Sequence, residues 1–170
     1  MNTLGTHDTV RLLTACGGNE RLAALMYVFL FSMPGAPMVY YGDENGMNGG
    51  DDPDCRRPMI WDPSRWSTTI RGSIATMVEL RRRRSSLRDG TVRVLWANDR
   101  VIAIERASSD ETTVVVLNNS RVERPLEIPL GLGDARVKSC ATGEMIGTDK
   151  DNLVMKSMQP FSYAAVDVER

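Results

Sequence analysis

An α/β segment that runs into an all-β domain is the fold class this sequence predicts, and three observations predict it. A long uncharged apolar run with helical composition is followed closely by a short apolar strand that ends at a glycine. A loop dense in Gly, Asp and Pro comes next, too long to be a simple connection. Beyond Asp89-Gly90 the apolar period changes from helical to alternating.

Met1 to Gly18 read as the end of a strand and a loop, because Leu4 precedes the polar run Gly5-Thr6-His7-Asp8-Thr9 and Gly17-Gly18 closes the segment. Asn19-Glu20-Arg21 offers an N-cap with an acid in the first turn, and Leu22 to Phe31 continues as an apolar helix that must be covered on most sides. After Pro34-Gly35-Ala36-Pro37, the run Met38-Val39-Tyr40-Tyr41 stopped by Gly42 predicts a buried parallel strand. Helix, turn and buried strand make half of a repeating α/β unit. Asp43 to Ser67 is the long loop. From Thr68 to about Arg84, Ile70, Ile74, Met77, Val78 and Leu80 keep a helical spacing. That helix ends in Arg81-Arg82-Arg83-Arg84, where positive charge complements the dipole.

Seven short β-rich runs follow, at 91–96, 100–106, 112–118, 122–128, 136–140, 152–155 and 161–168. Turns at Asn98-Asp99, Ser108-Ser109-Asp110 and Gly131-Leu132-Gly133 separate them. The pattern predicts an antiparallel sandwich or Greek-key domain. The domain division is drawn near Leu87 to Gly90, giving 1–88 and 89–170.

Composition narrows the function classes. The 170 residues, 42% apolar, can bury a sizeable core. With 21 basic and 22 acidic residues, no overall field favours nucleic acid, and 6% aromatics argue against base-stacking platforms. A neutral ligand fits this balance better. Cys16, Cys55 and Cys140 form no C-x-x-C pair, so neither a disulfide framework nor a zinc site is expected. The uncharged stretch from Leu22 to Gly42 is broken by two prolines, against a membrane span. No export signal opens the chain, and with reduced thiols this places it in the cytoplasm.

Polar residues gather at the strand ends and in the long loop: His7, Asp8 and Arg11, then Asp43, Glu44, Asp51, Asp52, Asp54, Arg56 and Arg57. In a barrel of parallel strands, that edge is where active sites lie. The single histidine adjoins an aspartate, a pair suited to sugar hydroxyls and equally suited to capping a turn. Asp43-Glu44 and Asp51-Asp52 are adjacent carboxylates, and neighbours on a strand point opposite ways, so neither forms a catalytic pair.

Three strings carry a resemblance. Asn2-Thr3-Leu4-Gly5-Thr6-His7-Asp8-Thr9-Val10-Arg11 resembles the region around the seventh barrel strand of the α-amylase family (family 13) of glycoside hydrolases, and the run from Pro34 to Met47 resembles the eighth. The run from Gly49 to Asp62 is similar to the neopullulanase, cyclomaltodextrinase and maltogenic amylase branch. The resemblance implies the C-terminal portion of a (β/α)8 barrel, from the end of strand seven to helix eight, followed by a β-sandwich.

It also implies roles. Asp8 is similar to the carboxylate that stabilises the oxocarbenium-like transition state, and His7 would hydrogen-bond the same sugar. Asp52 and Arg56 match positions contacting the next sugar, while Tyr40, Asp43 and Glu44 shape the wall of the site. Asp54 and Arg57 are read as a loop-stabilising ion pair. Retaining glycosidases need two further carboxylates about 5 Å apart, and the resemblance places both on strands four and five, upstream of these residues. The implied partners are an α-glucan oligosaccharide or cyclodextrin and the rest of the barrel, from an upstream segment or a separate chain. Neither nucleic acid nor membrane is expected. No cofactor is implied, and calcium stays open. Two alternatives accompany this reading: a subunit of a split amylase-type enzyme, and a non-catalytic carbohydrate-binding module.

Overall fold

The computed structural model describes residues 1–129, 131, 135–149 and 151–169. These form two compact units, residues 1–79 and 80–170. Of the expected turn at Gly131-Leu132-Gly133, Leu132 and Gly133 lie outside the described residues.

In the first unit, β1 (Asn2–Thr3) leads through a polar loop into α1 (Leu12–Ala15), a single turn that the sequence did not announce. The main helix, α2 (Glu20–Ser32), starts where expected: the Asn19 side chain accepts from the Leu22 amide, satisfying one of the unpaired donors of the first turn. Its residues Ala23, Ala24, Leu25, Tyr27, Val28, Leu30 and Phe31 are buried, as an apolar helix requires. Each large apolar side chain so buried contributes about 1.5–3 kcal/mol.

β2 (Pro37–Met38) pairs with β1 in parallel, Asn2 with Pro37 and Thr3 with Met38. The parallel arrangement agrees with the α/β reading, but the expected buried strand over Met38 to Tyr41 is corrected. Ladder bonding stops at Met38, residues 37–40 are half-buried, and Tyr41 is exposed. A strand is ordered only as far as a neighbour lies alongside it, and β1 supplies two residues. Left-handed glycines at Gly42 and Gly46 bracket a short 3-10 turn at Asp43–Asn45. At Gly42 a methyl group would lie 2.2 Å from the Met47 sulfur, so this position requires glycine twice over. The long loop that follows is not featureless: it contains two further 3-10 turns, at Asp54–Arg56 and Pro63–Arg65.

The helix α3 (Thr68–Arg83) follows the expected span and buries Ile70, Ile74, Met77 and Leu80. The arginines at its end do structural work. Arg81 donates to the Leu87 carbonyl at 2.6 Å, and Arg84 donates to Thr113 Oγ1 at 2.7 Å and pairs with Glu111 and Asp167. Arg88 reaches back to the carbonyls of Arg81 and Arg82, satisfying acceptors that the helix end leaves open. A short unforeseen helix, α4 (Ser85–Asp89), precedes the strands.

In the second unit, β3 (Thr91–Ala97), β4 (Val101–Ala107) and β5 (Thr112–Asn118) form an antiparallel meander. β6 (Arg124–Pro129) crosses to a second sheet, β7 (Arg136–Ser139) returns to the first, and β8 (Thr148–Asp149) joins β9 (Asn152–Met158) in the second. β10 (Ser162–Glu169) then inserts between β5 and β7. The resulting orders are β3-β4-β5-β10-β7 and β6-β9-β8. Val101, Ala103, Val114, Val116, Val137, Val166 and Val168 from the first sheet meet Leu126, Ile128, Leu153, Met155 and Met158 from the second in one core, which is the predicted sandwich. Alternate residues Ile104 and Val115 face the other side of the first sheet and are also buried, and α4 lies against β4 and β5 there. Among the described residues, β8, two residues long, is the one strand that the alternating pattern does not predict. Among the described residues, no helix is long and apolar enough to cross a membrane.

Candidate functional site

The polar loop after β1 and the loop at 49–57 come together through four side chains. Asp8 is the meeting point: His7 Nε2 lies 3.1 Å from its Oδ2, and Arg56 Nη2 donates to its Oδ1 at 3.1 Å. Arg56 Nε donates to the His7 carbonyl at 2.9 Å and lies 3.1 Å from Asp52 Oδ1. His7, Asp8, Arg56 and Asp52 therefore form a continuous polar chain. The side chains of His7 and Asp8 are 65% and 66% exposed, so both remain accessible to a ligand from solvent.

Beneath this open layer the structure is closed. Arg11, 1% exposed, donates from Nε to the Cys55 carbonyl at 2.7 Å and from Nη1 to the Tyr41 carbonyl and to Asp43 Oδ1, the latter at 3.0 Å. Its guanidinium carbon lies 4.3 Å from the centre of the Tyr40 ring and 4.5 Å from that of Tyr41, and the two rings meet edge to face with centres 4.7 Å apart, so both make cation–π contacts with it. The second oxygen of Asp43 accepts from the Tyr27 hydroxyl at 2.9 Å. Burial pushes the Asp43 carboxyl above its ordinary range, and the hydrogen bonds from Arg11 and Tyr27 partly offset that push. The Tyr27 hydroxyl is itself raised, first by burial and then by the Asp43 charge. Both oxygens of Asp43 are thus engaged within the protein. Tyr40 is half-buried against Arg11, and Glu44 is half-buried beside Asp43.

The loop at 49–57 is braced from its other side. Arg57 donates to both oxygens of Asp54, at 2.7 and 2.9 Å, and the Gly50 amide donates to Asp54 Oδ2 at 2.7 Å. The Gly50 bond first, and the Arg57 fork next, lower the Asp54 carboxyl below its ordinary value. A depressed pKa means that the brace is intact above the ordinary aspartate range and is lost only as pH falls below it. The amide proton shift of Gly50 should therefore titrate with a midpoint below that of a free aspartate. A midpoint at or above the ordinary value would show that Asp54 is not so held. Gly49 sits where the two loops cross: its carbonyl accepts from the Arg11 amide at 3.0 Å, and a methyl group there would meet the Asp54 carbonyl oxygen at 2.7 Å.

Sequence reasoning named Asp8, His7, Asp52 and Arg56, and the structure brings these four together. It sets Tyr40, Asp43 and Glu44 apart, in the layer below. The sequence marks Arg11 only as a polar residue, Cys55 only as a reduced thiol, and Tyr27 only as part of an apolar helix. The one available signal was their oddity: an arginine just before an apolar turn and a tyrosine within an apolar helix. Among the described residues, no group of three or more His, Cys, Asp or Glu side chains is placed to hold a metal ion.

Comparison with known proteins gives a consistent family. The α-amylase catalytic domain model matches residues 1–75. A cyclomaltodextrinase of Geobacillus thermopakistaniensis (strain MAS1) is 35% identical over 170 residues, spanning 99% of this chain and 29% of that protein. Neopullulanase 2 of Thermoactinomyces vulgaris is 38% identical over 165 residues, spanning 94% of this chain and 28% of that protein. A solved cyclomaltodextrinase structure superposes with a TM-score of 0.90 at 31% identity, covering 99% of this chain and 29% of its own. This chain therefore spans less than a third of the length of each. It belongs to the α-amylase family of glycoside hydrolases, in the neopullulanase, cyclomaltodextrinase and maltogenic amylase branch, and carries the C-terminal portion of the barrel followed by the antiparallel sandwich.

Proposed function

We propose that this chain is the C-terminal part of a retaining α-glucan hydrolase or transglycosylase that cleaves α-1,4-glycosidic bonds in maltooligosaccharides or cyclodextrins. Residues 1–88 contribute the end of the barrel and residues 89–170 the sandwich. The observation that carries the reading is the exposed chain His7-Asp8-Arg56-Asp52, fixed from beneath by Arg11 and open above.

Each member has a task. Asp8 hydrogen-bonds the ring hydroxyls of the distorted sugar, and these bonds strengthen as positive charge develops at the anomeric carbon. His7 contacts the same sugar, and Asp52 and Arg56 hold the next. Tyr40 and Glu44 shape the wall, with Asp43 acting from below through Arg11. The nucleophile and the acid/base come from barrel strands four and five, in an upstream segment or a separate chain. We place the protein in the cytoplasm, where its three unpaired cysteines stay reduced.

A direct consequence is that the 170-residue chain alone has no turnover, because a retaining mechanism needs a carboxylate pair, which this reading places on strands four and five. Incubation with β-cyclodextrin or pullulan should release no reducing sugar above the blank. Steady release by the purified chain would overturn this assignment of roles.

A further inference from the structure

We propose that Arg11 is a positioning residue for the sugar-contacting layer, acting through Cys55. This rests on the reading of Asp8 given above. The geometry is a clamp closed at both ends of one residue. Arg11 Nε holds the Cys55 carbonyl at 2.7 Å, and the Cys55 thiol donates to the His7 carbonyl at 3.1 Å. The same His7 carbonyl accepts from Arg56 Nε, and Arg56 Nη2 in turn binds Asp8. Displacement at Cys55 is therefore passed to the His7 main chain, which carries the imidazole beside Asp8, and to the Arg56 guanidinium that binds the Asp8 carboxylate.

Arg11 suits this task because it is buried and held from several directions. Its charge is paired with Asp43, it lies against the Tyr40 and Tyr41 rings, and its own amide donates to the Gly49 carbonyl at the start of the loop. A lysine could keep the charge pair with Asp43, but an ammonium is a point donor and does not reproduce a rigid fork that reaches Tyr41, Asp43 and Cys55 at once. The clamp thus depends on guanidinium geometry rather than on positive charge.

The experiment reads the clamp and the chemistry separately. Cys55 is fully buried, so in the wild-type chain its alkylation by iodoacetamide, mapped by peptide mass spectrometry, is slow. In Arg11→Lys the Cys55 rate should rise about tenfold or more through local opening, with circular dichroism unchanged and the rates at Cys16 and Cys140 unaltered. Arg11→Ala should behave likewise, and added guanidinium chloride at low concentration should slow Cys55 labelling again. Equal Cys55 rates in the wild type and a folded Arg11→Lys chain would overturn the clamp, as would labelling that rises equally at all three cysteines.

In the enzyme completed by the remaining barrel strands, Arg11→Lys should lower kcat by about tenfold to a hundredfold with a smaller change in KM, since misplacement by about 1 Å is felt at the transition state. Guanidinium should partly restore kcat in Arg11→Ala. If Cys55 opens while kcat is unchanged, Arg11 does not position the site. If Asp8→Asn also leaves kcat unchanged, the fault lies in the reading of Asp8, and the two failures are told apart.

Discussion

Replacing Asp8 by asparagine in the completed enzyme should lower kcat about a thousandfold, about 4 kcal/mol of transition-state stabilisation, while changing KM little. The substitution conserves shape and can still hydrogen-bond a hydroxyl. What it removes is the negative charge that opposes the cation developing at the anomeric carbon. Interactions that strengthen only at the transition state appear in kcat rather than in substrate affinity. Asp8 is 66% exposed and its present partners, His7 and Arg56, are themselves surface side chains, so the loss of the carboxylate leaves no buried charge behind. The variant should fold and melt like the parent. A fall in kcat of less than about tenfold, measured as reducing-sugar release from β-cyclodextrin, would contradict the role given to Asp8.

The second large effect is structural. Asp43→Ala should destabilise residues 1–79 by about 3–5 kcal/mol, because it strands a buried guanidinium without the carboxylate it pairs with. Arg11 is 1% exposed and Asp43 3% exposed, so water is poorly placed to replace the lost partner. Tyr27 loses its acceptor in the same step. Against a typical total of about 5–15 kcal/mol, this is a large fraction. Urea denaturation followed by hydrogen exchange of peptides within residues 1–79 measures it, and Asp43→Asn, which keeps an acceptor, should cost clearly less. A loss below about 1 kcal/mol for Asp43→Ala would show that the Arg11–Asp43 pair is not the anchor described here.

These two aspartates differ in how their contacts relate to the sequence. Asp8 stands in a local string, His7-Asp8 after a strand end, so its contact with His7 is legible in the chain, whereas its other partner, Arg56, lies 48 residues away. Asp43 was read as part of the site wall, yet its oxygens bind Arg11, 32 residues earlier, and Tyr27, 16 residues earlier. Partners at such separations leave no periodicity to detect. Arg11 shows the same limit, since its acceptors at Tyr41 and Cys55 lie 30 and 44 residues away.

Local signals did better. Asn19 caps α2 as its side chain allows, and α3 begins at Thr68 where the apolar spacing begins. The sandwich strands follow their alternation, β5 matching the expected 112–118. The strand expected over residues 38–41 ended early, because strand length depends on the neighbouring strand as well as on the run of apolar residues. α1 and α4, four and five residues long, are too short for apolar spacing to announce.

The most direct test of the account is to complete the barrel. Residues 1–170 are fused, in place of the homologous C-terminal segment, to the preceding portion of a cyclomaltodextrinase relative, from strand one through the start of strand seven, and reducing-sugar release from β-cyclodextrin is measured for the fusion and for each half alone. The account predicts turnover by the fusion and none by either half. A folded fusion without turnover, or turnover by the 170-residue chain alone, would contradict it.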